Sequence, residues 1–270
     1  MLEIARTVRF AVNPPGCDTA PQPKPTNSFA GFPTMRGLGR HYEADILCRG
    51  PLDPLTGYFI NIKDIDLAAR ATLIPTIETA CFTNPLAEPA QVLAGALPAL
   101  NTALGGRLHS VRWRLTPYYS VEVAINSPPV ALLRQQFEFA AAHRLHIPAI
   151  SEQENRSIFG KCNNPRGHGH NYRVEPCVEV PLGDQSSSRF TLQDLEEITQ
   201  REIINRFDHT HLNEDIPEFA ASKGLNPSVE NIARVVYERL DPAIRTAGKA
   251  ASLRSVTVWE TDKTSCRYPA

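Results

Sequence analysis

The feature that most constrains this chain is a repeat within it. Moving residues 29–79 forward by about 130 positions lays Gly37-Leu38-Gly39-Arg40-His41-Tyr42 on Gly167-His168-Gly169-His170-Asn171-Tyr172, with Phe29 on Phe159. The same shift lays Ile60-Asn61-Ile62-Lys63-Asp64 on Phe190-Thr191-Leu192-Gln193-Asp194. A slightly larger one pairs Asn84-Pro85-Leu86-Ala87-Glu88 with Asn226-Pro227-Ser228-Val229-Glu230. Three matches in order predict two copies of one module, each burying its own core. The consecutive prolines of Ser127-Pro128-Pro129 favour an extended linker, so the boundary is expected there, with modules 1–128 and 129–270.

Charge and length exclude some partners. The net charge is −1 with 21% charged residues, which supplies no basic stripe for nucleic acid. No run approaches the ~20 apolar residues that span a bilayer, so no membrane partner is expected. The N-terminal MLEIARTVRFAV lacks the regions of a signal peptide, and the six cysteines are scattered. Both point to a reducing, cytoplasmic setting. Pro-rich residues 13–28 read as an irregular loop.

The second copy is the more readable. Residues 134–142 have strand periodicity, with Phe137 and Phe139 on one face. Residues 159–168 are Gly/Asn/Pro-rich loop, and 169–180 alternate again, with Pro176 marking an edge or bulge. Pro181 to Ser188 is a turn, with room for one further strand near 184–191. Thr191 caps a helix whose apolar side carries Leu192, Leu195, Ile198 and Ile203. A second helix follows Pro227 with Val229, Ile232, Val235 and Val236 inward, and 253–260 close as a strand. The fold class is α+β: an antiparallel sheet with two helices on one face in each module.

Histidine is concentrated here: six of the eight lie between residues 143 and 211. In His168-Gly169-His170, residues two apart on a strand point the same way, so both rings can reach one ion. His143, at the end of the preceding strand, can supply a third ligand. Three imidazoles and an open fourth position make a catalytic zinc site, and polar residues on a turn are the alternative. Cys162, beside Lys161 and a potential dication, reads as a reactive thiol, whereas Cys177 and Cys266 read as structural. Asp208 can orient His209 as a proton-transfer pair or cap a turn. His146 and His211 read as solvent-facing. Glu260 shares a strand face with Val256 and Val258, and so either meets the N–H donors of a ligand or sits in solvent at the strand end.

These segments resemble a known family. Phe139-Ala140-Ala141-Ala142-His143-Arg144-Leu145 is similar to the first zinc-ligand segment of the 6-pyruvoyltetrahydropterin synthase / 6-carboxytetrahydropterin synthase family. The run Phe159 to Tyr172 resembles its central motif, and Phe207-Asp208-His209-Thr210-His211-Leu212-Asn213 and Trp259-Glu260-Thr261-Asp262 its later blocks. The resemblance covers about 137–268 and implies a tunnelling fold, present here as two tandem modules. It implies Zn2+ on His143, His168 and His170, with Cys162, Asp208 and His209 as proton carriers. Glu260 would anchor the pterin ring, with Ser228 and Glu230 as pocket neighbours. The implied substrate is a small pterin triphosphate, 7,8-dihydroneopterin triphosphate. Five residues between Cys162 and His168 look like the pyruvoyl-forming branch; the other branch forms a 6-carboxy product for deazapurine biosynthesis.

The first copy departs from this pattern. Leu38 and Arg40 stand for His168 and His170, Phe32 for Cys162, Glu78 and Thr79 for Asp208 and His209, Leu115 for Glu260, and Pro14 lies near the place of His143. It is expected to bind no zinc and to serve assembly as part of a homo-oligomer, three chains forming a ring with three sites. Two other classes are a non-catalytic pterin- or zinc-binding protein and a zinc hydrolase on another fold. The latter lacks a general-base carboxylate beside the histidines.

Overall fold

Alternation of buried and exposed side chains along Leu2–Val12 and Arg40–Gly50 produces the first two strands, and they pair antiparallel over their whole length. The computed structural model describes residues 1–17, 27, 29–125, 130–183, 189–220 and 224–270. The linker expected at Ser127-Pro128-Pro129 and most of the Pro-rich 13–28 segment lie outside the described residues. The chain divides into two units, Met1–Leu132 with Pro181–Gln185, and Leu133–Val180 with Ser186–Ala270.

The first unit is a meander with helices inserted. After β1 (Leu2–Val12) and β2 (Arg40–Gly50) come α1 (Ile62–Ala68), a π-helical turn (Ala69–Leu73), α2 (Ile74–Thr83) and α3 (Pro89–Ala103). Strands β3 (Leu108–Arg114) and β4 (Tyr119–Ala124) follow, and β2–β3 and β3–β4 are antiparallel. Asn61 caps α1, accepting from the Lys63 N–H. Pro75, near the start of α2, has no N–H to donate, and the Ile74 N–H reaches back to the Ala69 carbonyl in the wider π pattern. Ile65, Leu73, Ile77, Leu93 and Leu100 are buried, as are Phe10, Ile46, Val111 and Val121 of the strands. Residues 130–135 form β5 (Val130–Gln135), which carries the chain from one unit to the next.

The second unit runs β6 (Phe137–His143), α4 (Glu152–Phe159), a 3₁₀ turn (Gly160–Asn163), β7 (His168–Pro181) and α5 (Leu192–Thr199). It continues with a π turn (Gln200–Ile204), α6 (Asn205–Phe207), β8 (Thr210–His211) and α7 (Leu212–Asp215). Then come α8 (Val229–Thr246), β9 (Ser252–Thr261) and β10 (Thr264–Tyr268). β7 pairs antiparallel with β6 and with β9, β10 with β9, and β8 adds in parallel to β6. Phe139, Tyr172, Val174, Val256 and Val258 are buried in the strands, and Leu195, Ile198, Ile203, Ile232, Val236 and Leu240 in the helices. Phe139 stacks on Tyr172 at 5.1 Å and meets Phe207 edge-on at 5.6 Å. The class is mixed α+β.

Several expectations change. Pro176 lies within β7, opposite Val256, rather than at an edge; the register slips at Cys177/Val178, so the bulge alternative holds. Part of 159–168 is helical, because the chain enters it from α4. That helix has Asn155 as its buried residue and so lacks an apolar period, but a capping box joins Ser151 and Glu154. A strand near 184–191 finds none at 189–191, the rest lying outside the described residues. β10 carries Cys266 against β9, where no strand was expected.

Thr191 and Asp194 form the capping box of α5, and the Lys249 ammonium bonds both Asp194 oxygens at 2.8 and 2.9 Å. Burial pushes the Asp194 carboxyl up, but the bonds from Lys249 and Thr191 outweigh it, and its pKa falls below the usual range. This stabilisation is therefore present above the ordinary carboxylate pKa and is lost as pH falls through the lowered folded value. Asp194→Ala is expected to cost about 1 kcal/mol at neutral pH. Chemical denaturation of both proteins between neutral pH and pH 3 checks it, and the gap should narrow toward the acid end.

Candidate active site

The pairing of β6 with β7 sets His143 directly opposite His168, and Ala141 opposite His170. Period two puts Phe139, Ala141 and His143 on one face, with His168, His170 and Tyr172 beside them. Val256, Val258 and Glu260 lie on the same face of β9. It is the core-facing side, and the histidines stand where that core meets solvent: His143 is fully buried, His168 and His170 half-buried. Their rings lie 4.5 to 5.1 Å apart, and one nitrogen from each falls within 4.8 Å of the others.

The chain fixes the ring of His143. Its Nδ1 is 2.6 Å from the carbonyl oxygen of Pro227, just before α8, so that nitrogen carries the proton. Nε2 is left with a lone pair, 3.1 Å from His168 Nε2. Ligands of a tetrahedral zinc, each about 2.0–2.1 Å from the metal, sit about 3.3 Å apart. Burial pushes His143 down to about 4; the Pro227 bond opposes this, and His168, His170 and His211 add to it. Burial and His170 also lower His168, against a raising effect of Glu260. Both rings are thus neutral at pH 7, the form that binds a metal. His170 Nε2 is buried with no hydrogen-bond partner among the described residues, an atom that a metal or a ligand would satisfy; His168 Nδ1 is likewise unpartnered, on a ring whose Nε2 is the atom that faces His143.

Glu260 reaches this cluster, so a carboxylate does stand beside the histidines, contrary to expectation. Its Oε1 lies 3.6 Å from His143 Nε2 and 3.9 Å from His170 Nε2, with the side chain 22% exposed, so the strand-end solvent reading is set aside. Below it, Tyr172 is raised well above the ordinary phenol range, by burial first and then by Glu260 and Cys162.

Cys162 lies in the 3₁₀ turn, and its carbonyl accepts the Leu145 N–H at 2.9 Å, two residues beyond His143. With Arg156, Lys161, Asn163, Asn164 and His168 it lines an open cleft of about 870 Å³. Asn155 and Asn163 brace this segment: Asn155 bonds the backbone at Ile147, Ile150 and Ser151, and Asn163 bonds Glu152 and His146. Gly167 turns the chain toward His168 at φ +70°. A Cβ there would lie 2.7 Å from His211 Nε2 and 3.0 Å from the His143 carbonyl oxygen, so only glycine fits.

Asp208 and His209 do pair, with Oδ2 to Nδ1 at 2.8 Å. His209 adopts φ +57°, a conformation rare outside glycine, and it turns the ring back to its neighbour. Asp208 also accepts the Ala140 N–H at 2.8 Å, and this bond, with His209, holds its carboxyl below the usual range. His209 is 84% exposed, and neither residue lines the cleft holding Cys162. Ser228 is the N-cap of α8, next to Pro227, and its hydroxyl helps to lower the Glu230 carboxyl.

Two expectations are corrected. His146 is half-buried, with its Nδ1 3.0 Å from Asn163 Oδ1 and its N–H donating to Asn226. His211 is half-buried against Gly167, with Nδ1 buried and unpartnered among the described residues. Asn163 and Asn226 hold His146 and the parallel pairing of β8 with β6 places His211, neither of which local periodicity reveals. Sequence reasoning also missed Pro227, Asn163 and Tyr172. The Asn-Pro pair shared by residues 84–85 and 226–227 was the available signal for the first.

Residues 132–270, just over half of the chain, match the family model described as 6-pyruvoyl tetrahydropterin synthase. The 6-pyruvoyl tetrahydrobiopterin synthase of Drosophila melanogaster is 35% identical over 144 residues, 53% of this chain and 82% of that protein. The Homo sapiens protein of that name is 33% identical over 138 residues, 51% of this chain and 90% of the relative. A solved structure of the Caenorhabditis elegans 6-pyruvoyl tetrahydropterin synthase is 31% identical with a TM-score of 0.46, covering 52% of this chain and 95% of that one. Among the described residues no helix is long and apolar enough to cross a membrane. On the family model and these relatives, the chain belongs to the 6-pyruvoyl tetrahydropterin synthase family.

Proposed function

We propose that this chain is a zinc-dependent lyase that converts 7,8-dihydroneopterin triphosphate to 6-pyruvoyltetrahydropterin with loss of triphosphate. The observation that carries the reading is the convergence of three imidazole nitrogens within 4.8 Å, in a chain whose relatives are named for that product. His143, His168 and His170 are the ligands. The neutral rings of His143 and His168, the unpartnered buried Nε2 of His170 and the Pro227 tether on His143 fit a zinc ion. When bound, zinc supplies Lewis acidity that lowers the pKa of coordinated substrate hydroxyls and of the adjacent carbon proton.

The remaining roles belong to the protein. Cys162 Sγ takes a carbon-bound proton of the side chain. Asp208 keeps the proton of His209 on Nδ1, leaving Nε2 to exchange a proton on the opposite face. Glu260 accepts from the 2-amino and N3 edge of the ring, with Ser228 and Glu230 bordering the pocket. Arg156 and Lys161, in a cleft lining without a carboxylate, suit the triphosphate.

The exposed His209 fits a site completed by another copy of the chain. In this reading residues 1–128 are a degenerate tunnelling-fold module that lacks zinc ligands, 129–270 are the catalytic one, and three chains form a ring with three sites. Its support is a common thread in both units: a strand pair, a helix carrying a π turn (Ala69–Leu73 and Gln200–Ile204), a longer helix (α3 and α8) and a closing strand pair, to which the second unit adds α4, β8 and α7. That longer helix, α3 or α8, also holds a proline whose carbonyl accepts a threonine hydroxyl four residues on, Pro98 with Thr102 and Pro242 with Thr246.

Elemental analysis of purified protein is expected to find one zinc per chain, and His168→Ala should abolish it; a metal-free, fully active wild type would reject the ligand set. Incubation with 7,8-dihydroneopterin triphosphate should yield the 6-pyruvoyl product by mass spectrometry. Cys162→Ala should lower turnover by roughly 10²–10⁴-fold with its zinc retained. A 6-carboxy product would instead place the chain in the family's other branch, and full turnover in the variant would remove the thiol from the mechanism. Light scattering should give the mass of three chains, and a stable monomer with full activity would exclude the ring.

A further inference from the structure

The N-terminal unit has a small cavity of about 90 Å³ bordered by Arg40, Tyr42, Cys81, Asn84, Trp113 and Leu115. Arg40 and Tyr42 stand two apart on β2 and so share a face, Trp113 comes from β3, and Cys81 lies in the last turn of α2. Tyr42 meets Trp113 edge-on at 5.2 Å. Trp113 is only 4% exposed, yet its indole nitrogen is buried without a hydrogen-bond partner among the described residues. An indole N–H is a donor only, and leaving it unmet in the interior is unfavourable.

The other polar groups are Arg40, Tyr42, Cys81 and Asn84. The neighbours that hold Arg40 above its ordinary value are Cys81 first and then Tyr42, and no carboxylate contributes. No aspartate or glutamate lines the cavity. Cys81 and Tyr42 accept from Arg40, but a guanidinium has five N–H donors and no carboxylate takes the others here, so Arg40 and the unmet Trp113 indole N–H are the donors left for a ligand. Pro89 and Val92, in the first turn of the fifteen-residue α3, border the same space and bring the positive end of a helix dipole. One water needs roughly 10–15 Å³ by this kind of measure, so the volume takes several waters or one small oxyanion, and is too small for a triphosphate.

We propose that the N-terminal unit binds a single small oxyanion group, a phosphate or a carboxylate, between the Arg40 guanidinium and the Trp113 Nε1–H. The pocket is lined by residues of the N-terminal unit and shares none with the histidine cluster, so it does not depend on the reaction assigned to that cluster.

Titration calorimetry of the full chain with orthophosphate and, separately, with acetate tests this, with chloride as the ionic control. One of the two oxyanions should bind at one per chain, and which one identifies the class. Arg40→Met should weaken binding at least tenfold and Trp113→Phe severalfold, both melting as wild type does. A measurement on the unaltered fold guards against variants that fail to fold. In ¹⁵N-labelled protein the Trp113 indole N–H resonance, told from Trp259 by Trp259→Phe, should move on saturation with the bound anion. An indole signal that stays put at saturating phosphate and acetate overturns the proposal. So does binding unchanged in Arg40→Met, which would mean that the anion sits elsewhere.

Discussion

A fully buried imidazole is tolerated only when its polar atoms are met, and the second unit is organised around meeting that demand at His143. The Pro227 carbonyl satisfies Nδ1 and so decides which nitrogen faces the cluster. That contact links the end of β6 to the start of α8, two segments 84 residues apart, so the packing of a long helix and the tautomer of one ring are set together. His168 and His170 then follow from the register of β7 against β6. A one-residue slip in that pairing would turn both rings to the other face.

Local signals were the legible ones. The H-x-H spacing, the capping box at Thr191 and the inward face of α8 all depend on residues within a turn or a strand repeat, and each stands as the pattern implies. What the sequence withheld was of two kinds. Helix α4 has no apolar stripe to announce it, because its buried residue is an asparagine that serves backbone groups. The surroundings of His146 and His211 are made by segments returning from far along the chain. The pairing of Asp208 with His209 depends on a left-handed backbone at His209, which strand or helix periodicity cannot express.

The two units differ in the polar groups they bring together. Where the second converges three lone-pair-bearing nitrogens, the first converges hydrogen donors around Arg40 and Trp113. Their cores depend on many interchangeable contacts, Phe10 with Tyr42 in one and Phe139 with Tyr172 in the other. A metal site depends on three side chains at fixed places, so losing one ends that chemistry while the apolar framework persists.

The bond from the Leu145 N–H to the Cys162 carbonyl ties the sulfur-bearing turn to the strand that ends in His143. The thiol and the innermost imidazole are therefore mechanically leashed. Pulling that backbone bond apart would cost both segments at once, so the placement of the sulfur is tied to the strand end rather than to the surface side of its own turn.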